Sequence, residues 1–217
     1  MHFFITGTGT GVGKTYFTCA LAGAAVREGL RCAAVKPMET GCEPDALDAM
    51  ALAHACGHPE LAAHPGVYRA RQPLAPHAAT LMGEPALELE EVVQATQAAI
   101  ADADLGLVEG AGGILVPLDP ERTIADMILL LAMPILLVAR DGLGVLSSTL
   151  TAVEAAERRG IDVTAVVLSQ HGEQDLSQKT NAAILEQRLR CPVWTFSDDA
   201  SAILSRLYSN AASPVMS

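Results

Sequence analysis

The sequence predicts a single α/β domain in which helices flank a doubly wound, mainly parallel sheet. Three observations carry this. Short apolar runs of strand length alternate with helical patterns along the chain. Those runs are almost continuously hydrophobic, as strands buried on both faces are. Half of the 217 residues are apolar while only 4% are aromatic, so Ala, Leu, Val and Ile must fill the core. That composition suits alanine-rich helices against an aliphatic sheet.

The elements follow in order. A first strand, Phe3–Thr6, runs into Gly7-Thr8-Gly9-Thr10-Gly11-Val12-Gly13-Lys14-Thr15, and a helix over Lys14–Glu28 stops at Gly29. A second strand, Cys32–Val35, leads into Lys36-Pro37-Met38-Glu39-Thr40-Gly41, and a helix over Asp45–Cys56 stops at Gly57. Pro59 to Pro85 holds five prolines and little period, which predicts a long ordered excursion near the site. A helix over Leu89–Ala101 precedes a third strand, Leu105–Glu109. The apolar run Met127–Ala139, broken by Pro134, joins a helix over Thr123–Leu131 to a buried strand over Ile135–Ala139. A helix over Val145–Arg159 stops at Gly160 and feeds a strand over Val163–Leu168; a helix over Leu176–Leu189 and a strand over Val193–Phe196 complete the pattern. Glycine just past the last turn is a common helix stop. From about Asn210 the chain is expected to fray. The alternation implies right-handed crossovers, and ligands of such sheets lie beyond the carboxyl ends of the strands. No repeat, low-complexity linker or boundary is visible, so residues 1–217 read as one domain.

Composition also excludes. A net charge of −11 argues against a general nucleic-acid binder, which needs a basic face. The five cysteines, Cys19, Cys32, Cys42, Cys56 and Cys191, form no C-x-x-C pair and read as free thiols of a reducing cytosol. No basic segment precedes an apolar stretch at the N-terminus, and the longest apolar run is too short to span a bilayer. A cytoplasmic protein without a membrane partner is expected.

The first turn carries the chemistry. Strand, glycine-rich loop, Gly-Lys-Thr and helix arrive in the register of a phosphate-binding loop. Backbone N–H groups curl around an anion and the new helix adds its positive dipole end. Lys14 can reach the β- and γ-phosphates, and the Thr15 hydroxyl can ligate Mg²⁺. The strict pattern wants glycine six residues before the lysine, where this chain has Thr8, with Gly7 one step earlier. Two more strand ends deliver polar residues to the same edge: Lys36 after the second, and Glu109-Gly110-Ala111-Gly112-Gly113 closing the third. A lysine there can meet an anion, and an acid closing an apolar strand suits Mg²⁺. Asp45, opening the second helix, reads equally as a first-turn acid or as part of this group.

Together these residues place the fold with the P-loop NTPases, and the chain resembles the dethiobiotin synthetases, ATP-dependent enzymes of biotin synthesis. The resemblance runs from Phe3 to Leu168 and rests on Gly7–Thr15, Lys36-Pro37 through Thr40-Gly41, Asp45-Ala46-Leu47, Pro76-His77, Glu109 through Gly113 with Pro117-Leu118, and Pro134 through Gly144. It implies a ligase that closes a cyclic urea on 7,8-diaminononanoate with CO2 and ATP. An amine captures CO2 as a carbamate, the carbamate oxygen attacks the γ-phosphate, and the second amine displaces phosphate from the mixed anhydride. It further implies that Lys14, Lys36 and Thr10 act in catalysis and that Thr15, Asp45 and Glu109 ligate Mg²⁺. ATP would contact Gly11, Val12, Gly13, Lys14, Thr15, Tyr16, Asp45, Glu109, Gly110, Ala111, Gly112, Ser169 and Gln170. Thr10, Lys36, Thr40, Pro76 and His77 would face the diamine or its carbamate. Leu143, Gly144, Val145 and Ser147, opening a helix, would take the substrate carboxylate across the interface of a homodimer. His77 reads equally as a surface histidine.

The chain departs from the family in two places. Gly9 and Gly11 stand where some members carry acids in the loop. Ser169-Gln170 stands where the family reads adenine with Asn, and no Gly-x-x-Pro segment flanks Thr195-Phe196-Ser197-Asp198. Weak discrimination among nucleoside triphosphates is therefore expected. Other readings are a partition-type ATPase, a cobyrinate amide synthase and a non-catalytic nucleotide-binding regulator. Thr6, Gly7 and Thr8 lack the partition signature lysine, 217 residues leave no room for a glutaminase domain, and a regulator has no use for the Lys36 loop.

Overall fold

The computed structural model describes residues 1–170 and 175–211. Its elements are β1 (His2–Gly7), α1 (Lys14–Arg27), β2 (Cys32–Val35), β3 (Met38–Thr40), α2 (Leu47–Ala55), β4 (Tyr68–Ala70), α3 (Pro76–Leu81), α4 (Leu89–Ile100), β5 (Leu105–Gly113), α5 (Ile124–Leu131), β6 (Ile135–Arg140), α6 (Val145–Glu157), β7 (Val163–Ser169), α7 (Gln178–Glu186), β8 (Val193–Phe196) and α8 (Ser201–Ala211). The main sheet has the order β2-β5-β1-β6-β7-β8, and every neighbouring pair is parallel. From β1 the chain crosses to the β2 edge, returns to β5, and then builds outward on the other side of β1. The strand order therefore reverses at β1, and the crevice at its carboxyl end is where such a sheet takes a ligand.

Successive side chains of each strand point to opposite faces, so the apolar runs feed two cores. Phe4, Val108, Leu137 and Val166 pack with α4, α5 and α6 residues such as Val92, Ile128 and Val153. Phe3, Ile5, Leu107, Val138 and Phe196 pack with α1 and α8 residues such as Phe17, Leu21, Ile203 and Leu207. Fully burying each Phe or Leu contributes about 1.5–3 kcal/mol. The parallel register carries this through the sheet, and it holds the ends of β1, β2 and β5 side by side.

Three departures from the sequence reading have physical reasons. β5 continues past Glu109 to Gly113, because β1 bulges between Ile5 and Gly7 and Gly7 then pairs with Gly113. A Cβ on Gly113 would come within 3.2 Å of the Gly7 oxygen, so a side chain there would push the strands apart by a few tenths of an ångström. The proline-rich excursion contains β4, which pairs in parallel with β3; these strands are too short to show alternation. α8 escaped the reading, although Ile203, Leu204 and Leu207 are buried along one side of it. Asn210 and Ala211, where the frayed end is expected, belong to α8; residues 212–217 lie outside the described residues.

All five cysteines are free, and burial pushes the Cys32 thiol up to about 12. Among the described residues no helix is long and apolar enough to cross a membrane.

Candidate active site

The loop between β1 and α1 takes its shape from glycine. Gly11 and Gly13 have φ of 72° and 97°, the left-handed region that suits glycine. Gly7 is required for a different reason: a Cβ there would stand 2.8 Å from Val12 Cγ2 and 3.2 Å from the Gly9 oxygen. Gly9 is not so confined, since a Cβ there would meet nothing within 4 Å. The Thr8 N–H donates to the Val138 carbonyl at 3.0 Å and pins the loop to β6. No side chain caps α1 at Gly13, so its first-turn N–H groups are available to an anion. The Lys14 ammonium donates to the Gly9 carbonyl at 2.9 Å across the loop. Its pKa is pulled down to about 8, first by burial and then by Lys36.

Beside the loop lies a cavity of about 350 Å³, lined by Thr10, Gly11, Gly13, Lys14, Thr15 and Tyr16 from the loop and α1, Lys36, Glu39 and Thr40 from the end of β2 and β3, Asp48 from α2, and Ala111 and Gly112 from β5. Lys36 lines it, and Glu109 lies beneath, bonded to Lys36 and Thr15. The Lys36 ammonium, 5% exposed, stands 2.6 Å from Glu109 Oε1 and 3.1 Å from Asp48 Oδ2, and donates to the Gly110 carbonyl at 3.1 Å. Glu109 is wholly buried; its Oε1 also accepts from the Thr15 hydroxyl at 2.8 Å, and its Oε2 from the Thr18 hydroxyl at 2.8 Å. Burial works to lower the Lys36 pKa, but Glu109 and Asp48 outweigh it and the net shift is upward. Lys36 is therefore charged, and its ammonium sits where three hard oxygen donors, Thr15, Glu109 and Asp48, converge.

Asp48 lines this cavity and Asp45 does not. Asp45 is exposed and lies before α2, whose first residue is Leu47. The reason for this start is Glu39. Its buried carboxylate accepts from the Asp48 and Ala49 N–H groups, both at 2.9 Å, capping a helix that has no cap of its own and favouring its dipole. That cap turns Asp48, in the first turn, toward Lys36. The Asp-Ala pair occurs at both 45 and 48, and the sequence alone does not say which one the helix presents.

The structure brings Thr10, Lys14, Thr15, Tyr16, Lys36, Thr40, Ala111 and Gly112 together at the cavity and sets Glu109 and Gly110 beneath it. Tyr16 packs its ring on Phe196 at 5.3 Å between centroids and donates to Asp198. Ser169 is sealed at the end of β7, and the Gln170 amide donates to Asp141 Oδ2 at 2.9 Å; neither lines this cavity. Asp141, buried, also accepts from Asn181 Nδ2 at 2.8 Å, tying α7 to the end of β6. Leu143, Gly144 and Val145 line a second cavity of about 590 Å³ together with Thr8 and Val12. Ser148 lines it and Ser147 does not. A third cavity of about 500 Å³ runs from Gly7–Thr10 along Gly113–Pro117 to α6. Pro76 is buried and His77 half-buried at the start of α3; the His77 N–H donates to the Pro117 carbonyl at 3.4 Å, behind the wall of this third groove. Sequence reasoning missed Thr18, Glu39, Asp48 and Ser148. Only Glu39 and Asp48 carried a signal, an acid at each end of the Lys36 loop.

A parallel sheet reversing at β1, with a Gly-Lys-Thr loop between β1 and α1, defines a P-loop nucleotide-binding domain. The chain matches the AAA domain family over residues 1–195. In overall fold it is similar to the signal recognition particle receptor FtsY of Elizabethkingia anophelis, with a TM-score of 0.50 at 18% identity over 88% of this chain and 56% of that one. Its sequence relatives are nearer. It is 38% identical to an ATP-dependent dethiobiotin synthetase of Haloferax mediterranei, over 89% of this chain and 82% of the relative. It is 44% identical to one of Anaeromyxobacter dehalogenans, over 83% of this chain and 82% of the relative, and 39% identical to one of Caulobacter vibrioides, over 77% and 78%. The chain belongs to the family of ATP-dependent dethiobiotin synthetases.

Proposed function

We propose that this protein is an ATP-dependent dethiobiotin synthetase, closing the ureido ring of dethiobiotin on 7,8-diaminononanoate with CO2 and releasing ADP and phosphate. The observation that carries this is the buried Lys36 ammonium beside the Lys14 loop, held by Glu109 and Asp48 and overlooked by Thr10 and Thr40. A carbamate and a γ-phosphate are both anions, and joining them needs positive charge at the point of approach. Lys14 and Lys36 place two lysines on one cavity. The transfer otherwise needs positioning more than covalent help.

The chain's residues divide the work. The loop N–H groups and Lys14 hold the triphosphate. Thr10 and Thr40 orient the carbamate by hydrogen bonding, and Lys36 neutralises its attacking oxygen. That oxygen forms a bond to the γ-phosphorus as the bond to the ADP oxygen breaks. The second amine then attacks the carbamoyl carbon, phosphate leaves with the bonding pair, and the amine proton passes to solvent. Thr15, Glu109 and Asp48 would hold Mg²⁺: all are hard oxygen donors, and two carboxylates with phosphate and water are a usual Mg²⁺ set. When bound, Mg²⁺ supplies charge neutralisation at the phosphates. The third groove, beside Thr10, suits the diamine's alkyl chain, and the start of α6, with Gly144 and Val145, suits its carboxylate across a homodimer. A reducing cytosol is the compartment that five free thiols favour. Base recognition is weak in this reading, so kcat/KM for ATP should exceed that for CTP or GTP by less than about 100-fold, about 2.7 kcal/mol.

The test is phosphate release with ATP and Mg²⁺, with and without 7,8-diaminononanoate and bicarbonate, together with mass detection of dethiobiotin. Release that depends on the diamine and matches the product is expected. Release indifferent to the diamine overturns the synthetase reading.

A further inference from the structure

Glu109 has two carboxylate ends with different neighbours. Oε1 accepts from two residues that line the cavity, Thr15 at 2.8 Å and Lys36 at 2.6 Å. Oε2 accepts from the Thr18 hydroxyl at 2.8 Å. Thr18 is fully buried on α1, three residues after Thr15 and so on the same side of the helix. Its hydroxyl also stands 2.8 Å from the Lys14 carbonyl, the back-bond of a helical threonine. A carboxylate is the stronger acceptor. The terminal torsion of a glutamate is broad, so an unheld carboxylate would swivel in place. A β-branched threonine is stiff at χ1, and its hydroxyl is a fixed post.

We propose that Thr18 is a positioning residue for the metal site: by holding Oε2 it keeps Oε1 of Glu109 turned toward Thr15, the pair that would hold a nucleotide-bound divalent cation. Thr18 does not reach the cavity and touches no substrate. This rests on the reading of Glu109 as a metal ligand. It assigns Thr18 the outer-shell role that carboxylate ligands generally need, whose loss costs about 10–100-fold in metal affinity.

The experiment compares wild type, Thr18→Val, Thr18→Ser and Glu109→Gln. Mn²⁺ binding is followed by electron paramagnetic resonance in the presence of a non-hydrolysable ATP analogue, and binding of the analogue alone is measured in EDTA. Thr18→Val is expected to weaken Mn²⁺ binding about tenfold or more. Thr18→Ser should restore it, and analogue binding in EDTA should be equal in wild type and the Thr18 variants. Thr18→Ala, with room for a water, is measured alongside in case valine prevents folding, with the same loss expected. If both Thr18→Val and Thr18→Ala bind Mn²⁺ like wild type while Glu109→Gln does not, the role of Thr18 is overturned and the metal reading stands. If Glu109→Gln also binds like wild type, the metal reading itself fails. If Thr18→Val and Thr18→Ala lose analogue binding in EDTA to the same degree as Mn²⁺ binding, Thr18 supports the loop as a whole and the proposal is wrong.

Discussion

The ammonium of Lys36 stands 2.6 Å from Oε1 of Glu109, joining the residue just past β2 to one in the middle of β5, the strand that lies next to it in the sheet. Each is buried, and each depends on the other: a charge taken out of water is tolerable only when paired. The pair thus serves both the sheet and the site.

Replacing Lys36 with Ala should abolish turnover and leave Glu109 and Asp48 facing each other without a cation. Stability should fall by about 3–5 kcal/mol, the usual result of orphaning a buried partner. Because the oxygens left behind suit a divalent ion, Mg²⁺ should raise the Tm of Lys36→Ala more than that of wild type. Scanning calorimetry with and without Mg²⁺ measures both effects; retained turnover removes Lys36 from the mechanism.

Asp48 and Asp45 make an internal comparison. Asp48 Oδ2 lies 3.1 Å from Lys36 Nζ, whereas Asp45 is exposed and outside the cavity. Asp48→Asn should therefore cut kcat/KM by tenfold or more, about 1.4 kcal/mol, and raise the Mg²⁺ needed for half-maximal rate. Asp45→Asn should do neither. A Mg²⁺ titration of the initial rate on both variants decides, and equal effects would return the metal role to Asp45.

The phosphate loop should tolerate a methyl at one glycine and not at another. Gly7→Ala drives a Cβ into Val12 and toward the Gly9 oxygen, overpacking that typically costs about 1–3 kcal/mol, and should loosen ATP binding. Gly9→Ala meets open space and should leave Tm unchanged. Differential scanning fluorimetry on the two variants gives the answer; a stable Gly7→Ala would mean the loop yields.

Acid stability has one traceable contributor. Asp104, before β5, accepts from Arg31 Nη2 at 2.7 Å and from Arg31 Nε at 3.1 Å. Its pKa is lowered to about 2, first by the Arg31 side chain and then by the Arg31 N–H. A carboxylate lowered on folding contributes stability above its ordinary value, and that contribution disappears as pH falls through the folded value. The Tm gap between wild type and Asp104→Asn should therefore be widest at pH 5 and close toward pH 2. The pair is exposed, so the gap is small. A gap independent of pH would mean the contact contributes no proton linkage.

The parallel sheet was legible because six apolar runs sit between capped or glycine-stopped helical patterns, and strands such as Cys32–Val35 and Val193–Phe196 begin and end where hydrophobicity does. The same reading located Lys14, Lys36 and Glu109, each at a strand end or loop motif where position follows from local pattern. It named Asp45 and passed over Asp48, because Asp48 is placed at the cavity by Glu39 capping α2 across the fold. Nor could it find Thr18, a helical threonine like many others until β5 brings Glu109 beside it. Nor does chain position show that Asp141, from the neighbouring strand end, engages the Gln170 amide.

The strand order has a consequence for synthesis. β5 lies between β1 and β2, so the two strands made first have no bond to each other. A ribosome that has produced only the first hundred residues holds two apolar strands with bare edges, separated by the width of one that has yet to arrive. Bare edges of this kind invite pairing with other chains. The gap closes, and the Lys36–Glu109 pair becomes possible, at the same moment, when residues 105–113 slide in between; the far edge of β1 waits for β6. Stalling just before that point should be the interval in which a holding chaperone matters most to this protein.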